Sequence, residues 1–234
     1  MLNKSFIFTL LVLSGCFLLF EFTHLDLVIQ NLFYDPVLNE WAVDRSDSFL
    51  RLIFYDGIKI LYALFVLLLL IVLVFFRNKP IVFKHKQGLL IVLLSAMLVP
   101  LTIGSLKAVT NVPCPKNIQL YGGDYPYVRV LAHYPEGFHQ DNNIKCYPAG
   151  HASGGFALMS LFFLFSTRRS RNIALISAVM MGWSTGSYKM LIGDHFLSHT
   201  LVSMLLAWLI ILLIASAVRF GTKRFPSINL NIKK

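Results

Sequence analysis

The sequence predicts an all-α, polytopic membrane protein with six transmembrane helices and an active site at the outer face. Three observations carry this expectation. The chain is 56% hydrophobic with a mean hydropathy of +0.68, above soluble usage. Its apolar residues are concentrated in runs near the roughly twenty residues that a helix needs to cross a bilayer. Its charges segregate between alternate loops, as the excess of Lys and Arg in short cytoplasmic loops requires.

The spans fall near 5–23, 58–76, 88–106, 151–167, 172–188 and 198–218. Helices are expected because only they satisfy their own backbone within lipid. The first follows Lys4 and contains Leu13-Ser14-Gly15-Cys16, which resembles a lipoprotein processing box. Apolar sequence continues through Phe17, Leu18, Leu19 and Phe20, where an exported lipoprotein turns polar, so an uncleaved span is expected. The second is the clearest: Ile60 to Phe76 holds no charge and runs into Arg77, Lys79, Lys84 and Lys86. That cluster marks a cytoplasmic loop.

With both termini cytoplasmic, 13 of the 21 basic residues lie inside and all 11 acids outside, about +13 against −3. The net charge of +10 therefore reports topology and anionic inner-leaflet lipid, and nucleic acid is not an expected partner. The expected location is a bacterial-type inner (plasma) membrane with the site facing the periplasm or exterior. Residues 219–234 form a basic cytoplasmic tail. The whole chain, 1–234, reads as one membrane-embedded domain without internal repeats.

Two outer segments are long. Residues 24–57 mix apolar residues with acids and Trp41, an amphipathic stretch expected to lie along the interface. Residues 107–150 are rich in Pro, Gly, Asn and Tyr and lack helical periodicity, as a functional loop would. Cys114 and Cys146 lie within this loop, where an oxidising compartment would pair them, while Cys16 sits in the first span.

Three polar sites then fall at one membrane depth, at span ends where the cost of burying charge in lipid is avoided. Lys107 follows the third span. Pro148-Ala149-Gly150-His151 opens the fourth, and a helix start there offers free N–H groups to an anion. The glycines have an alternative use in close helix packing. Lys189 through His199 joins the fifth span to the sixth. His195 and His199 are four apart and share a face if the helix begins there, so they could hydrogen-bond each other. A neutral imidazole can attack phosphorus, and a group on its far nitrogen selects the tautomer. Two histidines at this spacing could also ligate a metal with Asp194 or His151, but no cysteine or glutamate completes a set, and no metal or other cofactor is expected.

These residues resemble the three-part signature of the type-2 phosphatidic acid phosphatase superfamily, of the form K-x6-R-P, P-S-G-H and S-R-x5-H-x3-D. Here the parts read Lys107, six residues, Cys114-Pro115; Pro148-Ala149-Gly150-His151; and Tyr188-Lys189, five residues, His195, three residues, His199. The resemblance covers about 55–218. It implies six spans and a metal-independent phosphatase acting on a lipid phosphate or lipid pyrophosphate. It implies that His195 is the nucleophile forming a phosphohistidine and that His151 protonates the leaving group. Lys107, Lys189, Ala149 and Gly150 would hold the phosphate, with His199 behind the nucleophile.

The departures bear on the same chemistry. Cys114 and Lys189 stand where the family has arginines, Ala149 and Tyr188 where it has serines, and His199 where it has aspartate. Lysine does not reproduce the two-pronged grip of arginine on phosphate, and cysteine has none. Lys116, Arg129 or Lys145 could compensate from the loop. A neutral His199 supports a developing imidazolium less than a carboxylate does. Two rival functions share these residues: a lipid phosphotransferase using the same phosphohistidine, and a non-catalytic lipid-binding or transport protein. Transporters favour repeated halves around a midplane site, which the sequence does not show.

Overall fold

The computed structural model describes residues 2–140 and 142–224 and is a helical bundle with one irregular end. In chain order it holds α1 (Leu2–Phe22), α2 (Leu25–Gln30), a hairpin of β1 (Tyr34–Asp35) and β2 (Glu40–Trp41), and α3 (Ser48–Arg51). A π-helical turn, Leu52–Asp56, leads into α4 (Gly57–Phe75). Then come α5 (Pro80–Thr110), α6 (Gly150–Ala157) with its 3-10 extension Leu158–Phe163, α7 (Arg168–Leu191) and α8 (Leu197–Arg224).

Among the described residues, four segments are long and apolar enough to cross a membrane: Leu2–Phe22, Ser48–Phe75, Pro80–Asn117 and Leu197–Gly221. The other two predicted spans are also helical but differ in kind. Residues 150–163 change from α to 3-10 geometry, and α7 carries Arg168, Arg169, Arg171, Ser184 and Lys189. Most of the predicted tail, 225–234, lies outside the described residues.

The core lies where α5, α6, α7 and α8 meet, around Val99, Ile103, Phe156, Ala178, Ala207 and Ile211. Glycine sets the separation of α6 and α7. A Cβ on Gly155 would stand 2.6 Å from the Gly182 backbone, and one on Gly182 would stand 2.2 Å from the Phe156 ring. Small residues permit such approach where the hydrophobic effect gives no drive between helices.

Proline sets a second feature. Pro100 lies inside α5 and has no N–H to give the Ala96 carbonyl four residues earlier. Tyr62 of α4 donates its hydroxyl to that oxygen at 2.7 Å. The helix defect is thereby spent on an interhelical bond beside the functional end of the bundle.

The 24–57 segment does more than lie along an interface. Its polar side chains turn inward: Asp26 and Gln30 are buried, and Gln30 donates from Nε2 to the Met190 carbonyl at 2.9 Å. Lys107 belongs to the last turn of α5, so the irregular loop begins at Asn111, in the left-handed conformation that ends the helix. The Asn111 side chain exchanges two hydrogen bonds with Gln140, both 2.9 Å, and accepts another from the Ile144 N–H. The loop is thus tied back to the helix it leaves.

Adding one methyl group at the α6–α7 crossing tests this packing. Gly182→Ala is expected to lower stability in detergent by about 1–3 kcal/mol, read as a fall in unfolding temperature, whereas Gly104→Ala, which meets open space within α5, does not lower it.

Candidate active site

The turn between α7 and α8 carries the third predicted site, and backbone bonds bring the other two to it. After Leu191 the chain reverses at Gly193, whose φ of 72° and whose contact with Trp41, 2.4 Å from where a Cβ would stand, both require glycine. The N–H groups of Asp194 and His195 fold back onto the Lys189 carbonyl at 2.7 and 3.2 Å. The Lys116 N–H donates to the Gly193 carbonyl at 2.9 Å, joining the first site. The Ala149 N–H donates to the His199 carbonyl at 3.0 Å, joining the second. A disulfide between Cys114 and Cys146 links the ends of the loop between them, with Cα atoms 5.3 Å apart.

The side chains converge accordingly. The His195 ring lies 5.9 Å from that of His151 and 5.6 Å from that of His199, centroid to centroid. His195 and His199 are only 1% and 2% exposed, whereas His151 opens onto a pocket. Lys107 runs alongside Gly150, with its Nζ 4.0 Å from where a Cβ would stand. Lys189 lies 4.4 Å above the Tyr55 ring, which also meets His151 at 5.0 Å.

Asp194 is the centre of the charge. Its Oδ1 receives Arg45 at 2.5 Å and Lys116 at 2.9 Å, and its Oδ2 receives Lys189 at 2.9 Å. Burial alone would raise its pKa, but the Lys116 hydrogen bond and the Lys189 and Lys116 charges hold it below the ordinary carboxylate value. Three cations on one carboxylate leave the site with excess positive charge. Arg45, Arg51, Tyr55, His151, Tyr188 and Lys189 surround a cavity of about 270 Å³ beside it.

The two buried histidines do not hydrogen-bond each other. The helix begins at Leu197, so His195 lies in the turn before it and the two rings meet edge to face. His195 Nε2 and His199 Nδ1 are buried without a partner, while the Cys146 backbone hydrogen-bonds the His199 ring. His195 Nδ1 lies 3.8 Å from the disulfide sulfur of Cys146, which has no proton to give. Burial, and then the neighbouring histidines and the Lys107 and Lys189 charges, hold His195 far below the ordinary histidine pKa, so the ring is neutral at pH 7. Cys146, His195 and His199 have donor atoms within 4.8 Å of one another, but a disulfide sulfur is not the thiolate a metal binds. Asp194, weighed as a ligand from sequence, is saturated by cations.

Of the loop cations named as substitutes, Lys116 reaches the site. Arg129 is turned away, donating to the Thr23 carbonyl at 3.1 Å and meeting His24 at 3.0 Å. Lys145 is exposed. The sequence reading missed Arg45, Arg51 and Tyr55, which come from the segment before α4 and carry no motif. It also missed the central place of Asp194, although its position between Lys189 and His195 was a signal.

A family model matches residues 88–223, more than half of the chain, and is described as the PAP2 superfamily. The chain belongs to the PAP2 superfamily. Membership implies phosphatase or phosphotransferase chemistry on phosphorylated substrates. Comparison with curated proteins and with solved structures finds no match. The matched region takes in α5 to α8 and all three motif sites, and leaves out α1, α2 and the segment that supplies Arg45 and Arg51.

Asp194→Ala leaves three cations facing one another without a counter-charge, and is expected to cost about 3–5 kcal/mol of stability. Because the folded pKa of Asp194 is depressed, its contribution is present above the unfolded carboxylate pKa and fades as pH falls through the folded one. Denaturation in detergent should therefore show the difference between wild type and variant fully at pH 7 and shrinking in strong acid.

Proposed function

We propose that this PAP2 superfamily member is a metal-independent phosphatase of membrane lipid phosphates or lipid pyrophosphates, acting through a phosphohistidine on His195. The observation that carries this reading is the His195 imidazole: a neutral ring whose Nε2 is buried with no hydrogen-bond partner, between His151 and a cluster of cations. An unpartnered buried nitrogen is costly unless a ligand completes it, and a neutral imidazole nitrogen is a competent nucleophile toward phosphorus.

In the first step the Nε2 lone pair forms a bond to phosphorus and the bond to the leaving oxygen breaks. The departing pair takes a proton from His151. In the second step water attacks the phosphohistidine, His151 takes the water's proton, and the P–N pair returns to Nε2. Lys107 and Lys189 neutralise the phosphoryl oxygens as charge develops, with N–H groups at the start of α6 around Ala149 and Gly150. Arg45 and Arg51 bring the guanidinium groups that the motif positions lack.

A lipid substrate is supported by a second cavity of about 290 Å³ beside His151, lined by Tyr55, Ile58, Tyr62, Pro100, Gly154 and Met181. It opens among the apolar flanks of α4 to α7, where an acyl or polyprenyl chain finds apolar partners. In the topology we infer, residues 150–163 and α7 complete six crossings, both termini are cytoplasmic, and the site faces the periplasm or exterior of a bacterial-type inner membrane.

The test is phosphate release in detergent from phosphatidate, a polyprenyl pyrophosphate and lipid A. His195→Ala is expected to abolish release and labelling of the chain by substrate phosphorus, and His151→Ala to slow release by about 10²–10⁴-fold. Release unchanged by His195→Ala refutes the mechanism.

A further inference from the structure

The family signature ends in an aspartate that in this chain is His199, so the histidine pair lacks the carboxylate expected behind it. A carboxylate from another part of the chain reaches the residue next to His199. Asp26, on α2, is 5% exposed and sits at the start of α8, 172 residues away in sequence. Its Oδ1 accepts the Ser198 N–H at 2.9 Å and its Oδ2 accepts the Ser198 hydroxyl at 2.5 Å. Ser198 is the residue before His199, and Asp26, Ser198 and His199 line one small cavity of about 20 Å³. Such a volume is enough for one water. His199 Nδ1 is buried without a protein partner.

We propose that Asp26 is the positioning carboxylate of this site, supplying through α2 and the first turn of α8 the negative charge that His199 lacks, so that the His195–His199 pair can carry the positive charge of the phosphohistidine step. The proposal rests on the phosphatase reading above. Two features favour it over a purely structural cap. An anion at a helix start needs only one such bond, yet Asp26 commits both oxygens to the residue preceding His199. Gln30, one turn further along α2, holds the Met190 carbonyl on the other side of the same turn. The helix thus grips the chain before and after His195.

The groups facing Asp26 are Cys16 and Glu21 of α1, Tyr121, Tyr127, Arg129 and Tyr147 of the loop, and His199 of α8. Arg129 is the cation among them. Burial pushes the Asp26 carboxyl up to about 6, against the Ser198 hydrogen bonds and the Arg129 charge. The carboxylate is therefore present above about pH 6 and is lost below it. His195 is held well below the ordinary histidine value, so an acid limb near pH 6 is not its own.

The experiment compares wild type, Asp26→Asn, Asp26→Glu, His199→Asp and the His199→Asp, Asp26→Asn double variant in phosphate release from phosphatidate and a polyprenyl pyrophosphate between pH 5 and 8. Asp26→Asn is expected to lower kcat by about tenfold or more with KM unchanged, and to remove the acid limb near pH 6. Asp26→Glu should restore part of the rate. His199→Asp should make the rate independent of position 26, so the double variant recovers activity that Asp26→Asn loses. A wild-type kcat in Asp26→Asn, or a loss that His199→Asp does not repair, overturns the proposal while leaving the phosphatase reading standing. A wild-type protein that releases no phosphate overturns both.

Discussion

The functional end of the molecule depends on the carboxylate of Asp194. Arg45 arrives from the segment before α3, Lys116 from the loop after α5, and Lys189 from the end of α7, so one buried anion ties three distant stretches to one point. Each cation would repel the others without it. The carboxylate lets positive charge be packed densely beside His151 and His195, which is what a phosphoryl group requires of a site.

The same economy governs the apolar part. Among helices apolar enough to cross a membrane, unpaired polar groups find little water, and the helices resolve their own defects by local bonds. Tyr62 answers the carbonyl that Pro100 orphans, Ser203 donates to the carbonyls of Ala149 and His199, and glycines let α6 and α7 meet at backbone distance. These bonds fix the depth of α6 relative to α8, and hence the separation of His151 from His195. Packing and the placement of these histidines are the same constraint read at two places.

The departures from the family motif acquire a physical sense in this frame. Cys114 gives up a guanidinium but closes the loop to Cys146, whose backbone and sulfur then abut His199 and His195. Arg45 and Arg51 come from a segment outside the matched region. Charge brought from there is invisible to motif spacing, because it can be delivered to a point in space from any position in the chain.

Much was legible in the residues themselves. Apolar run length gave the helical bundle, with α1, α4, α5 and α8 close to the predicted spans, because hydropathy is a local sum that needs no partner. Spacing within Lys107 to Pro115, Pro148 to His151 and Tyr188 to His199 marked three stretches that the fold brings together, because each motif holds its residues within a short length of chain. The edge-to-face meeting of His195 and His199, the hub at Asp194, and the inward turn of Asp26 and Gln30 were decided only by tertiary structure. The Arg45 arm of that hub and the bonds of Gln30 and Asp26 join residues 149, 160 and 172 apart, while the meeting of the two rings follows from where α8 begins, and no motif spacing records either.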